Sequence, residues 1–129
     1  MASSHTFSTA MAVDGSTTLS NSNSYSGSSR TTISESVVTA STDLLITVAI
    51  DVSTVKSFYL NSTCAATVET NSGGSPTNTI VLKAGVPYIW NTDSYDTFKL
   101  TGDVTAIYIT NASGSTADIT LDVVQDATP

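Results

Sequence analysis

The stretch DLLITVAID, Asp43 to Asp51, decides the fold. Successive side chains of an extended chain point to opposite sides, so Leu44, Ile46, Val48 and Ile50 share one face while Leu45, Thr47 and Ala49 share the other. Threonine, valine and isoleucine are stiff at χ1 and suit a pleated surface better than a helix. Neither face is strongly polar, which predicts a central strand buried on both sides.

Period two continues on either side of this stretch. Toward the C-terminus, Ile107 and Ile109 share a face, Asn111-Ala112-Ser113-Gly114-Ser115-Thr116 supplies turn chemistry, and Ile119, Leu121 and Val123 alternate with Thr120, Asp122 and Val124. That arrangement predicts a hairpin. Shorter candidate strands are Ser57 to Leu60, Ala65 to Thr70, Thr79 to Lys83, Tyr88 to Asn91 and Thr97 to Leu100, punctuated by Ser72-Gly73-Gly74-Ser75-Pro76 and Ala84-Gly85-Val86-Pro87. Thr31 to Thr39 brings the number to about eight or nine. No apolar stripe of helical spacing persists for three turns, so parallel crossovers have no helices to carry them. The expected fold is all-β: an antiparallel β-sandwich or jelly-roll-like barrel.

The N-terminal residues read differently. From Ser16 to Arg30 the chain runs STTLSNSNSYSGSSR, with Leu19 and Tyr25 as its large apolar side chains, and Phe7, Met11 and Val13 precede it at spacings that fit no amphipathic helix. Residues 1–30 are expected to form an extended arm, and 31–129 the sandwich domain. Fully extended at about 3.3 Å per residue, such an arm reaches on the order of 100 Å, enough to touch neighbouring subunits.

Composition narrows the partners. The chain has 129 residues with 4 Lys plus Arg against 11 Asp plus Glu, a formal charge of −7, and charged residues total 12%. Ser (21) and Thr (23) supply about a third of it. With a mean hydropathy of +0.12 there is enough apolar surface to offset chain entropy, so one compact domain is expected. Arg30, Lys56, Lys83 and Lys99 are too few and scattered to form the basic stripe a nucleic-acid binder needs, so no nucleic-acid partner is expected. The longest nearly apolar run, Leu44 to Ile50, is far short of the roughly 20 residues of a spanning helix, so no membrane partner is expected either. Met1-Ala2-Ser3-Ser4-His5 has neither the basic nor the apolar region of a secretory signal, which predicts synthesis in a cytoplasm.

Chemistry-bearing residues are sparse. Asp93, Asp96 and Asp103 near Trp90 and Tyr95 are the nearest thing to a carboxylate grouping, but aspartate is also the ordinary residue of loops between strands. The two glutamates, Glu35 and Glu69, sit in expected strands without evident partners. A nucleophilic triad needs a histidine, and the one histidine, His5, lies in the arm. Cys64 is expected to be a packed thiol. One cysteine and one histidine cannot supply a zinc site. Asp93 and Asp96 are hard donors but stand in no calcium-loop pattern, and Ser72-Gly73-Gly74-Ser75 lacks the lysine and helix of a phosphate loop. No catalytic residue, metal or cofactor is therefore expected. Tyr88, Trp90 and Tyr95 are the one candidate binding set, a possible aromatic platform for sugar rings, against the usual fate of a sole tryptophan in a sandwich core.

Glu69-Thr70-Asn71-Ser72-Gly73, Ile80 to Trp90 (IVLKAGVPYIW) and Tyr108 to Gly114 (YITNASG) resemble stretches of small virion proteins of tailed bacteriophages, chiefly the capsid cement or decoration type. The resemblance spans roughly residues 35 to 126. It implies a β-sandwich that oligomerises, most often as a homotrimer, on the major capsid protein at the outer capsid surface, and it carries no catalytic residues. A −7 chain suits that surface, being repelled by packaged DNA. The expected function is a non-enzymatic virion structural protein made in the host cytoplasm, which stabilises a capsid from outside. The alternative is a carbohydrate-binding β-module of a phage tail or fibre, using Tyr88, Trp90 and Tyr95.

Overall fold

The computed structural model describes residues 3–126. Ten strands form within them: β1 (Ser3–Val13), β2 (Thr17–Gly27), β3 (Ser29–Val37), β4 (Ser41–Ile50), β5 (Val55–Ser62), β6 (Ala66–Thr70), β7 (Thr79–Leu82), β8 (Tyr88–Asn91), β9 (Val104–Asn111) and β10 (Ala117–Gln125). The one helical element described is a 3₁₀ turn, Val52–Thr54, which the Asp51 carboxylate caps by accepting from the Ser53 N–H. Two four-stranded antiparallel sheets, β3-β10-β5-β8 and β4-β9-β6-β7, pack face to face, and β1-β2 forms a separate ribbon. Successive strands from β3 to β10 change sheet at each connection except β6 to β7, the strand order of a jelly roll.

Alternation builds the core. Phe58 and Leu60 of β5 and Ile119, Leu121 and Val123 of β10 meet Val48 and Ile50 of β4, Val68 of β6, Ile80 and Leu82 of β7, and Ile107 and Ile109 of β9. Every one of these is under a tenth exposed, and an aliphatic side chain buried to that degree contributes about 1.5–3 kcal/mol.

Four sequence expectations need correction. DLLITVAID is a strand, but β4 lies at the edge of its sheet, beside β9 only. Its second face is uncovered, with Leu45 exposed, and its register slips between Ser41 and Leu44 and between Thr47 and Ile50. Such irregularities blunt an edge against further pairing. β9 and β10 do not form a hairpin but lie in opposite sheets. Asn111 anchors the crossing, its Nδ2 donating to the carbonyls of Val37 and Ser115, both at 2.8 Å. Thr97 to Leu100 is not a strand. Phe98 and Leu100 are buried there as alternation demands, but backbone donors are met by side chains: Lys99 N–H donates to the Tyr88 hydroxyl and Thr101 N–H to Asn78 Oδ1, both at 2.9 Å.

The fourth correction concerns the arm. Residues 3–27 are not one extended segment but a β-hairpin in unbroken register from Ser3↔Gly27 to Val13↔Thr17. Asp14 (φ 52°) and Gly15 (φ 72°) turn it, with Ser16 N–H donating to Val13 carbonyl at 3.1 Å. Both turn residues are left-handed, a type I′ conformation that Asp-Gly adopts at little cost and that matches strand twist. The eight remaining strands are the sandwich.

Candidate functional site

The base of the ribbon is seated on the outer face of the β3-β10-β5-β8 sheet. Ser57 and Val124 pair across β5 and β10 and point outward, yet neither has exposed surface, because the ribbon covers them. Gly27 is the closest approach: a Cβ there would stand 2.3 Å from the Gln125 carbonyl oxygen and 2.8 Å from Val124 Cγ1. Only glycine allows that contact.

His5 reaches down from β1 between two sandwich strands. Its Nε2 lies 2.6 Å from Asp122 Oδ1, and its Nδ1 is hydrogen-bonded to Ser57 Oγ. A carboxylate only accepts, so Nε2 carries the hydrogen that faces Asp122. Asp122 also accepts from Arg30 Nε at 2.8 Å, Arg30 Nη2 at 2.5 Å and Thr32 Oγ1 at 3.2 Å. Burial pushes the Asp122 carboxyl up, but the hydrogen bonds and charges of Arg30 and His5 outweigh it and hold the group below the usual carboxylate range. On the other strand Tyr25, 8% exposed, donates to Asp93 Oδ2 at 3.1 Å, and burial followed by that carboxylate raises its hydroxyl above the ordinary value. Phe7 packs between, its ring 5.8 Å from His5 and 6.0 Å from Tyr25.

Ser57, His5 and Asp122 thus have the connectivity of a serine-hydrolase relay, with the ring nitrogens exchanged: in that machinery Nε2 faces the serine. His5, placed by the sequence in the arm, is brought by the folded hairpin against Ser57. Ser57 itself has no exposed surface, so no substrate carbonyl can reach its oxygen. What the geometry can do is fasten a ribbon to a sheet.

Beside the latch, the ribbon and the sheet form an open groove of about 480 Å³ lined by Phe7, Tyr59, Ile89, Thr120 and Asp122 among others. The aromatic set expected from sequence sits elsewhere. Trp90 stacks on Phe98 at 4.4 Å with Nε1 donating to the Asp96 carbonyl at 3.0 Å. Tyr88 packs on Phe58 (5.7 Å) and Phe98 (6.5 Å) and holds Lys99 N–H through its hydroxyl, while Tyr95 stands fully in solvent. Tyr88 and Trp90 therefore spend a ring face on Phe98. The Asp93 carboxylate accepts from Tyr25 and the Asp96 backbone carbonyl from Trp90, and among the described residues no three Asp, Glu, His or Cys side chains group as metal ligands would. Cys64 is a partly exposed free thiol, its Sγ 3.4 Å from the Thr116 carbonyl oxygen. No described helix is long and apolar enough to cross a membrane.

The latch residues His5, Ser57, Arg30 and Asp122 escape sequence reasoning because the bonds that join them span 52, 92 and 117 positions. One signal was present. Asp14-Gly15 is a hairpin dipeptide, and His5 and Phe7 keep period two before it.

Fold and site together define a jelly roll carrying a projecting, latched β-ribbon. No protein family, curated protein or solved structure matches the chain.

Proposed function

We propose that the protein is a non-enzymatic virion structural protein that binds the major capsid protein of a phage from outside and stabilises the capsid, as a homo-oligomer, most simply a trimer. The observation that carries this reading is the ribbon. Its base is fixed by the latch, while Ser8–Val13 and Leu19–Ser24 are exposed on both faces. A two-stranded hairpin alone is marginally stable in water, so a ribbon this long is built to be completed by another molecule. The jelly roll is a fold shared by viral capsid and lectin domains, a likeness of architecture alone. The segments that resemble cement proteins fall on β6 to β8 and on β9 with the crossing that follows it.

The test is to add the purified chain to capsids lacking it and measure bound protein and the temperature at which capsids rupture. Binding with a raised rupture temperature supports the reading, and absence of binding by the intact chain refutes it. Titrating glycans while following Trp90 fluorescence tests the carbohydrate alternative: a saturable shift moves the reading to a sugar-binding module.

A further inference from the structure

Every residue from Ser4 to Ser8 lines the groove beside the latch. Side chains alternate along this part of β1: His5 and Phe7 are half-buried toward the sheet, while Ser4, Thr6 and Ser8 are exposed. A wall that takes both sets without a break is the edge of the strand and neither of its faces. No residue of β2 joins it, so the edge is the outer one of β1, which pairs with β2 alone. In an antiparallel pair every second residue turns its N–H and C=O away from the partner. The groove wall is therefore a row of main-chain donors and acceptors, and among the described residues that backbone makes no hydrogen bond outside the β1-β2 ladder.

The floor is the sandwich's own sheet. Asp122, Tyr59 and Ile89 are register partners on β10, β5 and β8 and form one row across it. The ribbon runs in the same direction, from Gly27 against β10 to Tyr25, whose hydroxyl reaches Asp93 beyond β8. Thr120, two residues along β10 from Asp122, begins the next row and also lines the groove. Two residues of strand span about 7 Å, which is room for one further strand at about 4.8 Å and not for a two-stranded ribbon about 10 Å wide.

That width decides the occupant. Residues 3–126 are all placed elsewhere. In a second copy, Ser4 to Ser8 already stand over that copy's own sheet through the bonds of His5 to Ser57 and Asp122, and two sandwiches cannot share one floor. The tip of a second copy's ribbon is two strands wide. What fits is an extended segment with no strand beside it and no sheet beneath it. Tyr59 and the 41% exposed Ile89 would meet apolar side chains at alternate positions of such a segment. Asp122 already accepts from His5, Arg30 and Thr32, so it calls for no cation and disfavours a facing carboxylate. In strand addition the main-chain bonds give affinity and the side-chain contacts choose the partner, so a narrow strip suffices. Several copies on one particle then add their separate contacts.

We propose that the outer edge of β1 takes an extended, uncharged segment of the capsid partner as a third strand, laid along Ser4 to Ser8 over Tyr59 and Ile89. This rests on the reading that the protein binds a capsid and names the surface that does it.

Capsids lacking the protein are the probe. The full chain is bound to them, exposed to deuterated water and released, and amide exchange is read residue by residue. The expected result is that alternate amides between Ser4 and Ser8, fast in the isolated chain, slow by about tenfold or more, while the outer amides of β2 stay fast. Ile89→Asp puts a carboxylate on the floor and should weaken capsid binding by about tenfold or more. Leu45→Asp, the same change at an exposed position on the other sheet, should leave binding unchanged. Far-UV circular dichroism of both variants confirms that the sandwich is intact. A wild-type chain that does not bind overturns the capsid reading and the strand addition with it. Binding in which the outer amides of β1 stay fast, or undiminished binding by Ile89→Asp, overturns the strand addition and leaves the capsid reading standing. Outer amides of β1 that are already slow in the isolated, self-associated chain would give the groove to a second copy and overturn the assignment to a capsid segment.

Discussion

Asp122 is the residue on which the ribbon's attachment converges, since it accepts from His5, Arg30 and Thr32 at once. Replacing it with alanine leaves His5, 12% exposed, without its acceptor, while the half-exposed Arg30 returns to water. The expected loss is about 1–3 kcal/mol, borne by the ribbon, and amide exchange in β1 and β2 should accelerate while the core strands stay protected. The same carboxylate sets a pH dependence. Its folded pKa lies below the unfolded value of about 3.9, so its contribution is complete above that value and is lost as pH falls through the folded one. Ribbon protection in the wild type should therefore fade below about pH 4, and in Asp122→Ala it should be weak already at neutral pH. Wild-type protection that holds unchanged to pH 2 would show that another contact carries the attachment. Glu69 behaves in the opposite sense. Burial, then the charge and hydrogen bond of Asp43, raise its carboxyl, so Glu69→Gln should raise thermal stability at neutral pH.

The ribbon as an element depends on a close approach that leaves no room for a side chain. Gly27→Ala drives a methyl against the Gln125 carbonyl at the end of β10, and overpacking of that kind costs about 1–3 kcal/mol. The expected outcome is a ribbon that exchanges freely on a sandwich whose melting temperature barely moves. A matching fall in both would mean that ribbon and sandwich unfold as one unit. At this scale the limits of sequence reading are clear. Alternation located most sandwich strands, because burial on one side imposes period two whichever strand is the neighbour. For the same reason it could not say that β10 pairs with β3 and β5 and not with β9, nor that Phe98 and Leu100 alternate without a ladder. The serine-rich ribbon hid its pattern because hydroxyl side chains stand where apolar ones usually mark a face. The latch was illegible, since His5, Ser57 and Asp122 meet only once the jelly roll exists.

For the whole molecule, the balance is between a body that carries all four Lys and Arg and ten of the eleven acids, and a ribbon whose one acid is Asp14. Repulsion between bodies reaches about 30 Å at 0.01 M salt and about 10 Å at 0.1 M. Self-association should therefore strengthen as salt rises from 0.01 to about 0.1 M, measured as mass against ionic strength. A mass that falls with salt over that range would point to an ion-paired interface in place of an apolar one.

The strand order also governs the birth of the molecule. β10 lies between β3 and β5, and Arg30 finds Asp122 92 positions further along, so this sheet stays open until residue 125 has left the ribosome. The ribbon needs only its own turn, and hairpins close in about 1–10 μs. During synthesis the hairpin would form and open repeatedly ahead of an unfinished body, because Ser57 and Asp122, which fasten its base, take their places only with the slow closure that non-local strand pairing imposes. Three alanines or so added to the Asp14-Gly15 turn would delay the ribbon without touching the sandwich, whereas any cut before β10 would leave β3 and β5 as two raw edges for chaperones to find.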